Sequence, residues 1–194
     1  GYFVTREMAC ETLFDRLIAV EAGVERWKIR PGIYEPEFRE TQRAIMRLAM
    51  RPLILDDVST NLNDVRMRLK EYQRRDSGAE FLVVDYLQLM EGERKENRTQ
   101  AVGAISRGLK SLAMEFQIPV IALSQLNRSA AKEGREPELH DLRESGDIEQ
   151  DADVVLFLCG ERPEENAAFY NRTLKCGKNR EGPLFRHELG FNAQ

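Results

Sequence analysis

The sequence predicts an α/β protein built on a mostly parallel sheet flanked by helices. Three observations predict it. Short runs rich in Val, Ile and Leu recur along the chain, they are apolar on both faces, and segments with helical spacing lie between them.

The strand-like runs are GYFVT (Gly1–Thr5), PLILDD (Pro52–Asp57), FLVVD (Phe81–Asp85), PVIALS (Pro119–Ser124) and DVVLFL (Asp153–Leu158). Between the first two, CETLFDRLIAVEAG places Leu13, Phe14, Leu17 and Ile18 on one helical face and offers Gly23 as a stop. EPEFRETQRAIMRLAM follows with Phe38, Ile45, Leu48 and Ala49. NLNDVRMRLKEYQRR opens at a capping residue, Asn61 or Asn63, and carries Leu62, Val65, Leu69 and Tyr72. NRTQAVGAISRGLKSLAMEF has the clearest stripe, Val102, Ile105, Leu109, Leu112 and Phe116. Strand and helix alternate through Leu158, which predicts right-handed crossovers. The tail, NRTLKCGKNREGPLFRHELGF, reads instead as strands joined around the turn NREGP. Glu91–Arg98 and Asn127–Asp151 read as polar loops, the second long enough to be functional.

The 194 residues suit one domain, and 42% hydrophobic with 32% charged residues describes a folded, water-exposed protein. A formal charge of −4 excludes a strongly basic nucleic-acid coat, so any nucleic-acid contact must come from local clusters of Arg and Lys. Cys10, Cys159 and Cys176 are odd in number and widely spaced, with His140 and His187 the only histidines. That argues against a zinc site or a disulfide framework and for a reducing, cytoplasmic setting. No apolar run is long enough to span a bilayer. The opening residues read as a strand entered midway, which points to a fragment.

In open α/β sheets, ligands bind beyond the carboxyl ends of the strands. Asp85 stands at such an end, where a carboxylate can hold Mg²⁺ beside a nucleotide phosphate, as the acidic residue of phosphate-loop NTPases does. Taken alone the signal is weak, because an apolar run ending in a turn or capping aspartate is common. PVIALSQLNR ends in Ser124 and Gln125, and a glutamine has both a donor and an acceptor with which to touch a terminal phosphate. VTREM puts Glu7 at a third strand end, where a carboxylate can polarise an attacking water, or simply open a helix. The three together, on one rim, point to a metal and a polyphosphate.

VVDYLQLM, ENRTQAVGAISRGLKSLA, IPVIALSQLNR, LRESGDIEQDADVVLFL and KNREGP resemble the carboxyl-terminal motor domain of the replicative DNA helicases of the DnaB family, in that family's order and through nearly the whole chain. The resemblance implies a RecA-like P-loop NTPase core using ATP and Mg²⁺. It also implies a homohexameric ring that moves 5′-to-3′ on single-stranded DNA at the replication fork, with a helicase loader and primase as partners. By the same resemblance Glu7 matches the catalytic glutamate, Asp85 the Walker B aspartate and Gln125 the γ-phosphate sensor. Lys178 and Arg180 match a basic pair whose arginine enters the next subunit's ATP site. Arg143, Glu144 and Gly146 match the loop lining the DNA channel. Gly146 lets a backbone N–H approach phosphate, and Glu144 is expected to orient Arg143 or to pair with a neighbouring subunit.

The chain also departs from the family. No GxxxxGK[ST] loop occurs in it, so the cradle for the β- and γ-phosphates is absent, and so are the family's amino-terminal domain and linker helix. The expectation is one partial motor domain over residues 1–194, inactive by itself, with apolar sheet edge exposed. Arg6 stands where the family has an apolar residue, either pairing with the acidic cleft or marking a lineage difference. Asp147 adds negative charge beside the channel loop. The competing readings are another RecA-like ATPase, such as a recombinase paralogue, and a non-catalytic module that docks on a helicase.

Overall fold

Four of the expected strands pair side by side in a computed structural model that describes residues 1–29, 35–75, 78–92, 97–127, 133–142, 146–160 and 169–192. They are β1 (Tyr2–Thr5), β2 (Ile54–Asp56), β3 (Leu82–Asp85) and β4 (Val120–Ala122), in the order β2-β1-β3-β4. All pairs are parallel, with Tyr2 opposite Ile54 and Leu82, and Leu82 opposite Val120. Parallel neighbours need long crossovers, and helices supply them: α1 (Cys10–Ala22) and α2 (Glu35–Ala49), then α3 (Leu62–Arg75), then α4 (Arg98–Phe116).

Each helix starts and stops for local reasons. Gly23 ends α1 in the left-handed region at φ 67°, which a glycine adopts without steric cost. Asn61, rather than Asn63, caps α3, its side-chain oxygen accepting from the N–H groups of Asn63 and Asp64 at 2.9 and 3.1 Å. Asn97 and Gln100 form a reciprocal capping box at the start of α4.

The main core lies where α3 and α4 cover one sheet face. Tyr2, Val4, Leu82 and Val84 share that face and meet Val65, Leu69, Val102, Ile105, Leu109 and Leu112. The stripe expected on α4 is buried in full. The one expected on α2 is not: Thr41, Ala44 and Leu48 are buried, whereas Phe38 and Ile45 are 49% and 38% exposed. Ala44 and Leu48 close a smaller cluster with Ile18 of α1, and a small residue at 44 lets the two helices approach.

Two expectations for the sheet are corrected. The run Asp153–Leu158 does not join the parallel sheet. It forms β5 (Val154–Cys159) in a separate antiparallel sheet with β6 (Phe169–Asn179) and β7 (Arg186–Asn192), in the order β5-β6-β7. Val155, Phe157 and Cys159 face the core while Val154, Leu156 and Leu158 are about half exposed. Because both sets are apolar, periodicity could not reveal that one face is open. β4 behaves likewise: Ile121, the partner of Val83, is 56% exposed and Leu123 is 42% exposed. Apolar edge is therefore on the surface, as expected from the sequence.

β6 and β7 are joined through NREGP, where the Asn179 side chain accepts from the N–H of Glu181 and donates to the Pro183 carbonyl. The long polar stretch before β5 is also not structureless throughout. It contains a 3-10 turn, Leu139–Leu142, and the short helix α5 (Gly146–Asp151). The turn is pinned by Asp141, 1% exposed, which accepts two hydrogen bonds from Arg135 at 2.7 and 2.9 Å.

Candidate nucleotide site

β1, β3 and β4 are consecutive neighbours, and their carboxyl ends carry Glu7, Asp85 and Gln125 in turn. Thr5 pairs with Asp85, so Glu7 lies two residues past the rung that Asp85 completes. Leu123 N–H donates to the Val84 carbonyl at 2.9 Å, which carries β4 pairing to within two residues of Gln125. All three expected residues thus occupy one rim of the sheet.

The bend carrying Glu7 is anchored on both sides by Asp57. Its carbonyl accepts from the Arg6 guanidinium at 2.9 Å, and its carboxylate accepts from the Cys10 N–H at 2.8 Å, at the start of α1. Arg6 therefore ties β1 to the turn after β2 rather than pairing with the acidic rim. Asp56, the neighbour of Asp57, is 3% exposed and sits at the end of β2. The Asp56 carboxylate accepts from the Tyr2 hydroxyl at 2.7 Å, from the Val58 and Ser59 N–H groups at 2.9 Å each, and from the Ser59 hydroxyl at 2.5 Å. Burial pushes the Asp56 pKa up, but these four donors outweigh it and hold the group below the usual carboxylate range.

Asp85 is shifted the opposite way. Burial, then the negative charge of Glu7, raises its pKa, and Arg16 on α1 only partly offsets them. Two carboxylates that repel at the end of a buried strand are what a divalent cation relieves. Among the described residues no group of three or more His, Cys, Asp and Glu forms a protein cage for a metal. Mg²⁺ does not require such a cage, since it is commonly held by one or two carboxylates and completes its shell with water and phosphate oxygens.

Gln125 is itself exposed, and its main chain is held from β3. Gln88, in the 3-10 turn Leu87–Leu89 just past Asp85, donates its amide to the Ser124 hydroxyl at 2.9 Å and to the Gln125 carbonyl at 3.2 Å. Its amide oxygen accepts from the Gln125 N–H at 3.2 Å.

Lys178 and Arg180 lie at the end of β6, in the second sheet. Both reach the carboxyl end of α5: Lys178 donates to the Glu149 carbonyl and Arg180 to the Gln150 carbonyl. Cations suit that end of a helix, where unpaired carbonyls concentrate negative potential. Arg143 and Glu144 lie outside the described residues, and Gly146 is the first residue of α5. Asp147 pairs with Arg107 of α4, so the negative charge expected beside the channel loop is neutralised from within the subunit. The glycine at 103 makes room for it, since a Cβ there would collide with the Asp147 carboxylate.

Residues 2–194 match the family model for the DnaB-like helicase C terminal domain. The chain belongs to that family. The replicative DNA helicase DnaB of Haemophilus influenzae is 39% identical over 196 residues, covering 97% of this chain and 42% of that protein. The replicative DNA helicase DnaB of Geobacillus stearothermophilus is 37% identical over 194 residues, covering 95% of this chain and 42% of that protein. The chain thus spans less than half the length of these DnaB relatives. Among solved structures, a DnaB-like replicative helicase, described with its interactions with primase, superposes with a TM-score of 0.89 at 28% identity, over all of this chain and 49% of that one. A separately solved ATPase domain gives 0.88 at 28% identity, over 96% of this chain and 69% of that one.

The DnaB-like chain therefore has the RecA-like P-loop NTPase fold, with its parallel sheet flanked by helices. Membership in the DnaB-like family sets aside the recombinase reading. No described helix is long and apolar enough to cross a membrane. Two groups of this DnaB-like domain escape sequence reasoning. Gln88 is a single polar residue in an apolar stretch, and only its place three residues after Asp85 could have flagged it. Asp153 and Lys110, which form an ion pair beside Arg180, are ordinary surface charges in sequence.

Proposed function

We propose that the chain is the motor portion of an ATP-driven helicase that moves 5′-to-3′ on single-stranded DNA and unwinds duplex at the replication fork, working in the cytoplasm as a homohexameric ring with a loader and a primase. The observation that carries this reading is the convergence of Glu7, Asp85 and Gln125 on one sheet rim in a DnaB-family domain. In it, Asp85 holds Mg²⁺, Glu7 takes up a proton from the attacking water, and Gln125 contacts the terminal phosphate. When bound, Mg²⁺ neutralises charge on the transferring phosphoryl group. Lys178 and Arg180 act on the nucleotide of the neighbouring subunit, and Arg143, Glu144 and Gly146 hold the single-strand backbone.

The acidic rim fits the metal. The phosphates are a different matter, because no glycine-rich GxxxxGK[ST] loop occurs among these 194 residues. Residues 1–194 are accordingly one partial motor domain, and on its own this chain is expected to turn over no ATP. That absence would also suit a non-catalytic docking module, but such a module has no use for a carboxylate held against a second one at a strand end.

The test uses the complete protein in a forked-duplex unwinding assay and a DNA-stimulated ATPase assay. Glu7→Gln and Asp85→Asn are each expected to abolish unwinding and to cut hydrolysis by about 10² or more. Undiminished turnover in Glu7→Gln would overturn the reading.

A further inference from the structure

We infer that Gln88 is a positioning residue for Gln125, setting the place of the phosphate-contacting side chain from the strand that carries the metal-binding carboxylate. The inference rests on the proposed role of Gln125.

Hydrogen bonding between β3 and β4 continues past both strands. Leu123 N–H donates to the Val84 carbonyl at 2.9 Å, and Leu87 N–H donates to the Leu123 carbonyl at 3.0 Å. Beyond that rung the backbone after Asp85 turns into a 3-10 helix, where the Leu89 N–H bonds to the Tyr86 carbonyl and the Met90 N–H to the Leu87 carbonyl. The turn carries that backbone away from residue 125, and the Gln88 side chain takes the place of a strand. It offers an acceptor to the Gln125 N–H and a donor to the Gln125 carbonyl, both at 3.2 Å, as a paired residue in a ladder would.

The chemistry selects glutamine. An amide presents one acceptor and two donors, and here the oxygen faces an N–H while the nitrogen faces a carbonyl and the Ser124 hydroxyl. The opposite amide orientation would set donor against donor and acceptor against acceptor, so the network fixes it. Glutamate would keep the acceptor and lose both donors. Alanine would remove both bonds from Gln88 to the Gln125 main chain and leave its carbonyl the longer contact from the Ser124 hydroxyl at 3.4 Å.

Functionally, Gln88 lies three residues from Asp85 and grips Gln125 across the strand gap. The metal side and the phosphate side of the site then move as one unit. Sub-ångström errors in a phosphate contact cost rate rather than ground-state affinity, because the contact tightens as charge develops.

A double-mutant cycle in the complete protein tests this, with DNA-stimulated ATP hydrolysis as the readout. Gln88→Ala is expected to lower kcat by about tenfold and to change KM for ATP by about twofold or less. In a Gln125→Ala background the same substitution is expected to change kcat by less than about twofold, because the residue through which Gln88 acts is gone. An equal kcat loss in both backgrounds overturns the role of Gln88. If Gln125→Ala itself leaves kcat unchanged, the phosphate-contacting role of Gln125 falls and takes this inference with it. Should Gln88→Ala unfold at the assay temperature, the same cycle run with Gln88→Glu decides between these outcomes.

Discussion

Arg180 stands directly across the end of the β5–β6 ladder from Asp153. Its N–H donates to the Asp153 carbonyl at 2.9 Å, and its guanidinium meets the Asp153 carboxylate at 3.2 Å. Both side chains are about half exposed, so the ion pair contributes only about 0–1 kcal/mol. That is enough to bias a rotamer and too little to hold the guanidinium against a triphosphate. Arg180 is oriented within this chain by Asp153 and the Gln150 carbonyl, and in the proposed ring these exposed contacts would yield to a neighbouring subunit's nucleotide. Arg180→Ala in the complete protein is therefore expected to lower kcat by about 10³ or more while leaving nucleotide affinity within a few-fold. Mixed oligomers of Arg180→Ala and Glu7→Gln subunits should recover part of the turnover that each lacks alone. Loss of nucleotide binding in Arg180→Ala would place the residue at its own subunit's nucleotide.

Asp85 gives a prediction with a pH signature. Burial and the Glu7 charge raise its pKa, so as pH rises through the carboxylate range the unfolded chain releases this proton first. The folded state then binds more protons, and stability falls with rising pH through that window. At neutral pH the ionised Asp85 opposes folding. Asp85→Asn is expected to melt a few degrees higher than the native sequence at pH 7, with the gap closing as pH drops below the ordinary Asp range. The same variant should lose Mg²⁺-dependent nucleotide binding. A melting temperature lower at pH 7 would mean the carboxylate is stabilised rather than strained.

Where apolar spacing alone decides packing, the sequence was a good guide. The stripe on α4 and the Asp85 strand end follow from periodicity and from where parallel strands stop. Periodicity failed where a strand is apolar on both faces yet covered on one, as in β4 and β5. Such a run looks like the middle of a sheet whether or not anything lies against Ile121 or Leu156. It failed again on α2, where the smallness of Ala44, not the bulk of Phe38, chooses the face turned to α1. The convergence of Glu7, Asp85 and Gln125 was legible because topology brings strand ends together. Gln88, Asp57 and Asp153 were not, because their roles come from pairings across more than twenty residues that no local pattern encodes.

Tyr2 and Asp56 offer a stability test at residues that the proposed chemistry does not use. Tyr2→Phe removes one donor from a buried carboxylate and is expected to cost about 1–3 kcal/mol in chemical denaturation. Because the native Asp56 pKa is lowered, its contribution is present above the ordinary Asp value and is lost as pH falls through the lower native value. Loss of the Tyr2 donor moves the native pKa upward, so the variant should begin to lose stability at a higher pH on acidification than the native sequence does. An unchanged acid-unfolding midpoint would show that Tyr2 is not part of what keeps Asp56 ionised.

If the chain binds DNA as proposed, its net charge of −4 means that the affinity has to come from few cations, which makes each of them measurable. If Arg143 holds one phosphate per subunit, Arg143→Ala in the complete protein should weaken single-strand binding and flatten the log–log salt dependence by about 0.7 for each phosphate no longer neutralised. Arg107 offers a second test, because it neutralises Asp147 in the first turn of α5, which follows the proposed DNA-binding loop in sequence. On the proposed DNA path, Arg107→Ala frees that carboxylate to repel the strand. It should weaken binding most at low salt, where screening is least, and leave the salt slope steep because every phosphate keeps its cation. Fluorescence anisotropy of a labelled oligonucleotide across a salt series separates the two effects. A salt slope in Arg143→Ala equal to the native one would remove Arg143 from the DNA path.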